Sequence, residues 1–290
     1  MPEGHTIHRL ARRHAKLFGG QPVRVSSPQG RFAAGAALID GHVLEATDAW
    51  GKHLFHRYGS VSGGDNPPGA PRESGLWLHV HLGLYGKFAD GLLPAPEPRG
   101  ALRMRLASEQ NWLDLRGPIT CDVITRAEKD LVTAALGPDP LRPKADPGLA
   151  LAKLSRSRVA LGALLMNQTV LAGVGNVYRA EILFRHGVNP YLPGRDLDPA
   201  VWLDMWDDLV RLMRAGVRAG KIITTDPADR DRVSGPARRV DAYYVYRRTG
   251  EPCRRCDTPV RHEVLVGRNL FWCPRCQPAP AGMMIPGELS

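Results

Sequence analysis

The chain is poor in cysteine, in aromatic residues and in long apolar runs. Five of its 290 residues are cysteine and 7% are aromatic. No run approaches the roughly eighteen apolar residues that a membrane-spanning helix needs, so no membrane partner is expected. The opening residues Met1-Pro2-Glu3-Gly4-His5 lack the apolar stretch of a secretory leader. Without a leader, a disulfide framework has no oxidising compartment to form in, and a cytoplasmic address is expected. Internal repeats are absent too. A hydrophobic content of 43% excludes the disordered class, and the length suits one large domain or two ordinary ones.

The few cysteines are concentrated. Cys253-x2-Cys256 is followed by sixteen residues and then Cys273-x2-Cys276. Two CxxC turns flanking room for two strands fit a four-thiolate zinc hairpin. Four thiolates leave no open position for water, so a single Zn2+ there is structural, and the chemistry must lie elsewhere. Cys121, far from the other four, reads as a small buried residue.

Charge is the other asymmetry. The net charge is +10 and the pI about 9.7. Between Arg211 and Cys276, fifteen lysines and arginines stand against seven acids, and all but Lys221 are arginine. Guanidinium forks suit phosphate oxygens, and the balance points to a polyanionic partner.

Hydrophobic spacing predicts a helix over His5–Phe18, with Ile7, Leu10, Ala11, His14 and Phe18 on one face and Gly19-Gly20 ending it. Short strands follow, at Gln21–Ser26, His42–Trp50, His53–Tyr58, Leu76–Leu82, Gly86–Asp90, Leu102–Leu106 and Asn111–Asp114. Such spacing suggests an antiparallel sandwich or barrel. Gly59–Ser74 reads as a mobile Gly/Pro-rich surface loop, and Gly137–Gly148 as a linker. Helices are expected over Ala150–Val170, from Asn176, and over Pro199–Ala219, before the zinc hairpin. The resulting class is α+β. Residues 1–136 form an N-terminal helix and β-sandwich, 137–148 a linker, 149–250 a helical domain, 251–277 the zinc hairpin and 278–290 a frayed tail.

Methionine before proline is usually removed, which would leave Pro2 with a free secondary amine. Such an amine attacks an electrophilic carbon to form an iminium, as lysine does in Schiff-base enzymes. An α-amine starts near a pKa of roughly 7.7–8.0, and the positive end of a helix disfavours its charged form further. Glu3, next in sequence, is placed to shuttle a proton. An ordinary helix start, with proline and an acid in the first turn, explains the same residues.

Further strings bear on that choice. Leu171-Ala-Gly-Val-Gly-Asn-Val-Tyr-Arg-Ala-Glu181 places two glycines before an asparagine that reads as a helix cap, a ready anion site. Together with Met1-Pro2-Glu3-Gly4, the Gly51-Lys52-His53 turn, His79-Val-His-Leu-Gly-Leu-Tyr-Gly86 and Gly267-Arg-Asn-Leu-Phe-Trp-Cys-Pro-Arg-Cys-Gln277, it resembles the formamidopyrimidine-DNA glycosylase/endonuclease VIII family. The landmarks run in family order over nearly the whole chain, and the 171–181 string resembles the helix–two-turn–helix signature.

That resemblance implies a bifunctional base-excision-repair enzyme, a glycosylase and abasic-site lyase acting on damaged double-stranded DNA as a monomer. Pro2 would attack C1′ and release the base, and strand cleavage would follow by β- and then δ-elimination. Glu3 would be the proton donor and shuttle, and Lys52 would contact phosphate and assist. Asn176 and Arg268 match the residues that grip the phosphates flanking the lesion. His81 matches a phosphate contact, although a strand histidine facing the core fits it equally. Leu84 and Tyr85 can fill the gap left by an extruded nucleotide, and Arg116 resembles a residue facing the orphaned base. A hairpin Leu-Tyr packed on its sheet and a turn arginine are the plainer readings of these three. DNA would run between the two domains.

One departure bears on specificity: many family members carry a second glutamate where this chain has Thr6. The Glu3-Gly4 start, the Leu84-Tyr85 pair and the Phe271-Trp272-Cys273 ending look more like the endonuclease VIII branch. So does the polar, arginine-rich Lys221–Asp241 segment, which offers no obvious cap for a flipped purine. Oxidised pyrimidines are therefore the expected substrates. The alternatives are the same mechanism on oxidised purines, or a non-catalytic zinc-finger DNA-binding protein, which would give Pro2 and Glu3 no role.

Overall fold

In the computed structural model, the described residues are 2–61, 75–231 and 234–280. Most of the expected Gly59–Ser74 loop and most of the tail lie outside them. The chain divides into two compact units, Met1–Ala135 and Leu136–Ser290.

The first unit opens on α1 (Gly4–Phe18), whose Ile7, Ala11, His14 and Phe18 are buried. Then come β1 (Arg24–Ser26), α2 (Ala33–Ile39), β2 (His42–Trp50), β3 (His53–Val61), β4 (Leu76–His81), β5 (Lys87–Leu92), β6 (Leu102–Ala107), β7 (Asn111–Arg116), β8 (Thr120–Ile124) and α3 (Arg126–Ala134). The strands make two antiparallel four-stranded sheets, ordered β1-β6-β7-β5 and β2-β3-β4-β8. Alternation explains the layering: Leu102, Met104 and Leu106 point inward while Arg103 and Arg105 do not. Met104, Leu106, Leu113 and Leu115 of one sheet share a core with Leu44, Leu54, Leu78 and Val80 of the other. Burying each such side chain stabilises the fold by about 1.5–3 kcal/mol. The expected sandwich is present, and Cys121 lies buried in its core.

Sequence reasoning passed over α2, β8 and α3. The start of α3 was signposted: Thr125 and Glu128 form a reciprocal capping box. From α3, Lys129 reaches Asp48 at 3.0 Å and covers the Trp77 ring at 4.3 Å.

The second unit contains α4 (Pro147–Leu154), α5 (Leu161–Leu164), α6 (Asn176–Arg185), α7 (Pro199–Ala219), β9 (Arg261–Leu265) and β10 (Arg268–Trp272). The single helix expected over Ala150–Val170 is broken into α4 and α5. Ser157 Oγ accepts the Val159 N–H at 3.2 Å, a local turn that competes with helix. Leu161 N–H bonds outward to Leu192 carbonyl at 2.7 Å. The expected linker is packed as well. Gly137 to Pro140 are buried, Gly137 N–H donates to Gln168 carbonyl and Ala172 N–H to Pro138 carbonyl, and α4 begins inside it at Pro147. The α7 helix spans its expected residues, with Asp198 capping one end and Gly220, in the left-handed region, closing the other. Its Trp202, Met205, Leu209 and Met213 join α6 in the unit's core.

Candidate functional site

Pro2 is half-buried just before α1, and Glu3 is the N-cap residue in extended conformation. The Glu3 side chain makes no capping bond; its carbonyl accepts the Thr6 N–H at 2.9 Å while the carboxyl group is fully buried. A buried carboxyl beside a partly accessible residue at a helix start is an arrangement suited to proton transfer. Beside it, His5 lies 3.2 Å from the Thr6 hydroxyl, and burial pushes its pKa down to about 4.

On the β2–β3–β4 face, Lys52 occupies the two-residue turn between β2 and β3, where Gly51 supplies a φ of 56°. His81 ends β4, half-buried, and its Nδ1 accepts the Gly83 N–H at 3.2 Å. Burial and then the Lys52 charge lower its pKa, so the ring is neutral at pH 7. It is therefore neither a core histidine nor a free surface one.

The β4–β5 turn carries Leu84 and Tyr85, 37% and 86% exposed. So large an exposed ring on a tight turn contributes nothing to the core and is available to a partner. Arg116 ends β7 rather than sitting in a turn. It pairs with Asp114 at 3.1 Å, and Asp114 is also held bidentately by Arg105. Lys87, two residues after Tyr85, is its strand partner, so Arg116 and the exposed turn share one end of the sheet.

In the second unit the asparagine string differs from its expected form. Gly175, not Asn176, is the N-cap of α6, and residues 171–180 are all buried. Gly173 N–H is taken by Gln168 Oε1 at 3.0 Å. Instead of capping, Asn176 donates across to Asn269 carbonyl at 2.9 Å and accepts from Arg179 through Oδ1. Arg179, completely buried, also reaches Asn269 carbonyl at 3.0 Å and Gly162 carbonyl at 3.3 Å. The α6 start is thus a clamp on the β10 residue next to Arg268. Arg268 is half-buried and faces Leu265 across a two-residue turn, Val266-Gly267, with φ of 50° and 66°. Both values suit the turn twist that joins tight hairpins, at some strain for a β-branched residue.

The zinc hairpin follows. Cys253, Cys256, Cys273 and Cys276 place their sulfurs within 4.8 Å of one another. Zn–S bonds of about 2.3 Å in a tetrahedron require sulfurs roughly 3.8 Å apart. The Sγ···Sγ distances are 3.8 Å for Cys253–Cys276, 3.5 Å for Cys256–Cys273 and 3.4 Å for Cys256–Cys276, so the set fits the ion. Gln277 is held beside the metal loop. It is fully buried, accepts from Cys273 N–H at 3.0 Å and donates to Val188 carbonyl at 2.9 Å, tying the metal loop to the α6–α7 connection.

Many arginines of the basic segment are spent internally: Arg211 on Asp208, Arg238 on Asp241, Arg248 on Glu251, Arg254 on Asp231 and Arg255 on Asp229. The excess positive charge therefore overstates the phosphate-binding capacity. Sequence reasoning also missed Glu181. Its buried carboxylate accepts the N–H groups of Tyr244, Val245 and Tyr246 and the Thr224 hydroxyl, holding the segment that leads into the hairpin.

Comparison with known proteins agrees with this layout. Residues 1–119 match the formamidopyrimidine-DNA glycosylase N-terminal domain, 136–228 the helix–two-turn–helix domain of the same glycosylase, and 250–279 the zinc finger found in that glycosylase and in isoleucyl-tRNA synthetase. Endonuclease 8 1 of Mycobacterium tuberculosis is 49% identical over 281 residues, covering 96% of this chain and all of that one. The chain belongs to the formamidopyrimidine-DNA glycosylase/endonuclease VIII family. Probable endonuclease 8 2 of Streptomyces coelicolor is 35% identical, covering 97% of this chain and 95% of its own. Among solved structures, the MutM (Fpg) protein of Thermus thermophilus superposes with a TM-score of 0.73 at 29% identity, covering 95% and 98% of the two chains. This member of the family is a DNA-binding repair enzyme, a DNA glycosylase and abasic-site lyase for oxidised bases, with a structural zinc finger. No helix among the described residues is long and apolar enough to cross a membrane.

Proposed function

We propose that this glycosylase removes oxidised pyrimidines from duplex DNA through an iminium on Pro2. The observation that carries the mechanism is the pairing of Pro2 with a fully buried Glu3 at the start of α1. With Met1 removed, the Pro2 nitrogen attacks C1′, the N-glycosidic bond breaks and the base leaves with a proton. Glu3, shielded from water and adjacent to the amine, is the group that moves protons between the amine, the sugar and the leaving base. The C1′–O4′ bond then opens, O4′ taking a proton from Glu3, and the resulting iminium acidifies the C2′ hydrogen. Its loss breaks the C3′–O bond, and a second elimination breaks the C5′–O bond.

The remaining residues divide between phosphates and the vacated stack. Lys52 and His81 contact phosphate from the β-sandwich. In the second unit Arg268 contacts phosphate, and Asn176 supports it by fixing Asn269. Leu84 and Tyr85 fill the space of the extruded nucleotide, an extrusion costing about a few kcal/mol, and Arg116 faces the orphaned base. One zinc ion serves a monomeric enzyme.

Preference for pyrimidines is favoured by the endonuclease 8 names of the relatives at 49% and 35% identity. The experiment is incision of duplexes carrying thymine glycol, 5-hydroxyuracil or 8-oxoguanine. Faster release of the two pyrimidines is expected; equal or faster release of 8-oxoguanine would favour the purine reading.

A further inference from the structure

Two histidines on the Lys52 face have no part in the reaction described above. In the β3–β4 pairing, His53 lies opposite His81, and Phe55 opposite His79. The four rings form a column. Phe55 and His79 stack at 4.9 Å, His79 and His53 at 5.1 Å, and His53 meets His81 at 4.9 Å. The inner two are joined by a hydrogen bond, His53 Nδ1 to His79 Nε2, at 2.8 Å. Behind Phe55 lies Lys129, 5.2 Å from the ring and paired with Asp48. At the outer end is the turn that carries Lys52.

His81 is the exposed end of this column. Its Nδ1 accepts the Gly83 N–H, so the neutral ring carries its proton on Nε2. An N–H donor on a half-buried ring is useful to a phosphate only if the ring plane is held. We propose that His53 and His79 are positioning residues: their hydrogen-bonded pair fixes the ring against which His81 rests, and so aims the His81 Nε2–H at a DNA phosphate. Phenylalanines at both positions would set the spacing of the stack. Only a hydrogen bond sets the tilt of His53 as well. The pair works with one proton between the two facing nitrogens, since a second would set two N–H donors against each other. Burial pushes His53 down to about 3 and His79 to about 4, which keeps both neutral at pH 7.

This inference rests on His81 and Lys52 being phosphate contacts, and the test separates the two ideas. Binding of the full-length, zinc-loaded protein to a duplex containing a tetrahydrofuran abasic analogue is measured by fluorescence anisotropy. His79→Phe keeps the stack and removes the hydrogen bond, and it should weaken binding about 3- to 10-fold, the worth of one oriented hydrogen bond. His79→Gln, which keeps polar atoms near the bond, should recover part of that loss. His53→Gln probes the same bond from the other side should His79→Phe fold poorly. In a double-mutant cycle, adding His79→Phe to His81→Ala should cost little more than His81→Ala alone. If the two effects multiply, His79 does not act through His81 and the inference is wrong. If His81→Ala and Lys52→Ala both bind like wild type, the phosphate reading of this face falls, and this inference with it.

Discussion

Glu181→Gln isolates the contact that joins α6 to the approach to the zinc hairpin. In the wild-type chain Oε1 accepts Val245 N–H at 2.9 Å and Tyr246 N–H at 2.8 Å, while Oε2 accepts Tyr244 N–H at 2.8 Å and the Thr224 hydroxyl. Glutamine keeps one carbonyl oxygen, which can continue to serve Val245 and Tyr246. Its NH2 then faces the Tyr244 N–H, two donors with no acceptor between them. Thr224 escapes the conflict, because its hydroxyl can accept from the new amide. One orphaned buried N–H costs about 1–3 kcal/mol, and two charge-assisted bonds that become neutral lose about 0.5–1 kcal/mol each. The sum is roughly 2–5 kcal/mol, concentrated at residues 244–246. The consequence reaches the hairpin, because Tyr246 packs on Phe271 at 5.3 Å. Native-state hydrogen exchange is the assay. Protection of the 244–246 amides should fall by about 30-fold or more, and zinc should be lost faster to a chelator. An unchanged exchange rate at those amides, with normal zinc retention, would refute the reasoning.

Other outcomes follow from the same structure. Arg268→Ala should lower DNA affinity about 5- to 30-fold at 0.1 M salt and flatten its salt dependence, with zinc content unchanged by atomic absorption. Metal loss in that variant would make the arginine structural. Val266→Asn should stabilise the hairpin by about 1 kcal/mol in urea unfolding, because an exposed valine at φ 50° gives way to a residue that tolerates the left-handed region. Acid should destabilise the first unit. His5, His56 and His79 are buried neutral with pKa values near 4, so unfolding takes up protons once pH drops below the unfolded value of about 6.5. Each histidine then costs about 1.4 kcal/mol at pH 5.5, roughly 4 kcal/mol for three acting independently, and nothing at pH 7.5. Urea midpoints at the two pH values, compared between wild type and His56→Gln, measure one share of that cost.

The sequence made the fold legible where one signal dominated. Alternating strands and the extent of α7 were readable because local pattern and tertiary burial agree there. The Ala150–Val170 helix was misjudged because apolar spacing continued through Ser157, whose hydroxyl accepts a backbone N–H. The prolines of 137–148 marked irregular chain, but irregular chain can be packed, and here Gln168 and Ala172 supply its partners. At the site, the four cysteines were legible from their spacing, and the roles proposed for Pro2 and Glu3 start from residue types with distinctive chemistry. The working of Asn176 was not. Its partner Asn269 is ninety-three positions away, and only the folded chain shows that the amide supports the hairpin. Glu181 is the same case: three consecutive N–H donors converge on it from more than sixty residues downstream.

The central claim, an amine nucleophile on Pro2 served by buried Glu3, is tested most directly by borohydride trapping on duplex DNA with an abasic site. The protein freed of Met1 should give a covalent protein–DNA adduct whose cross-linked peptide begins at Pro2. Blocking the amine by a retained Met1 should abolish it. An adduct that persists with Met1 in place, or that maps to a lysine such as Lys52, would contradict the account.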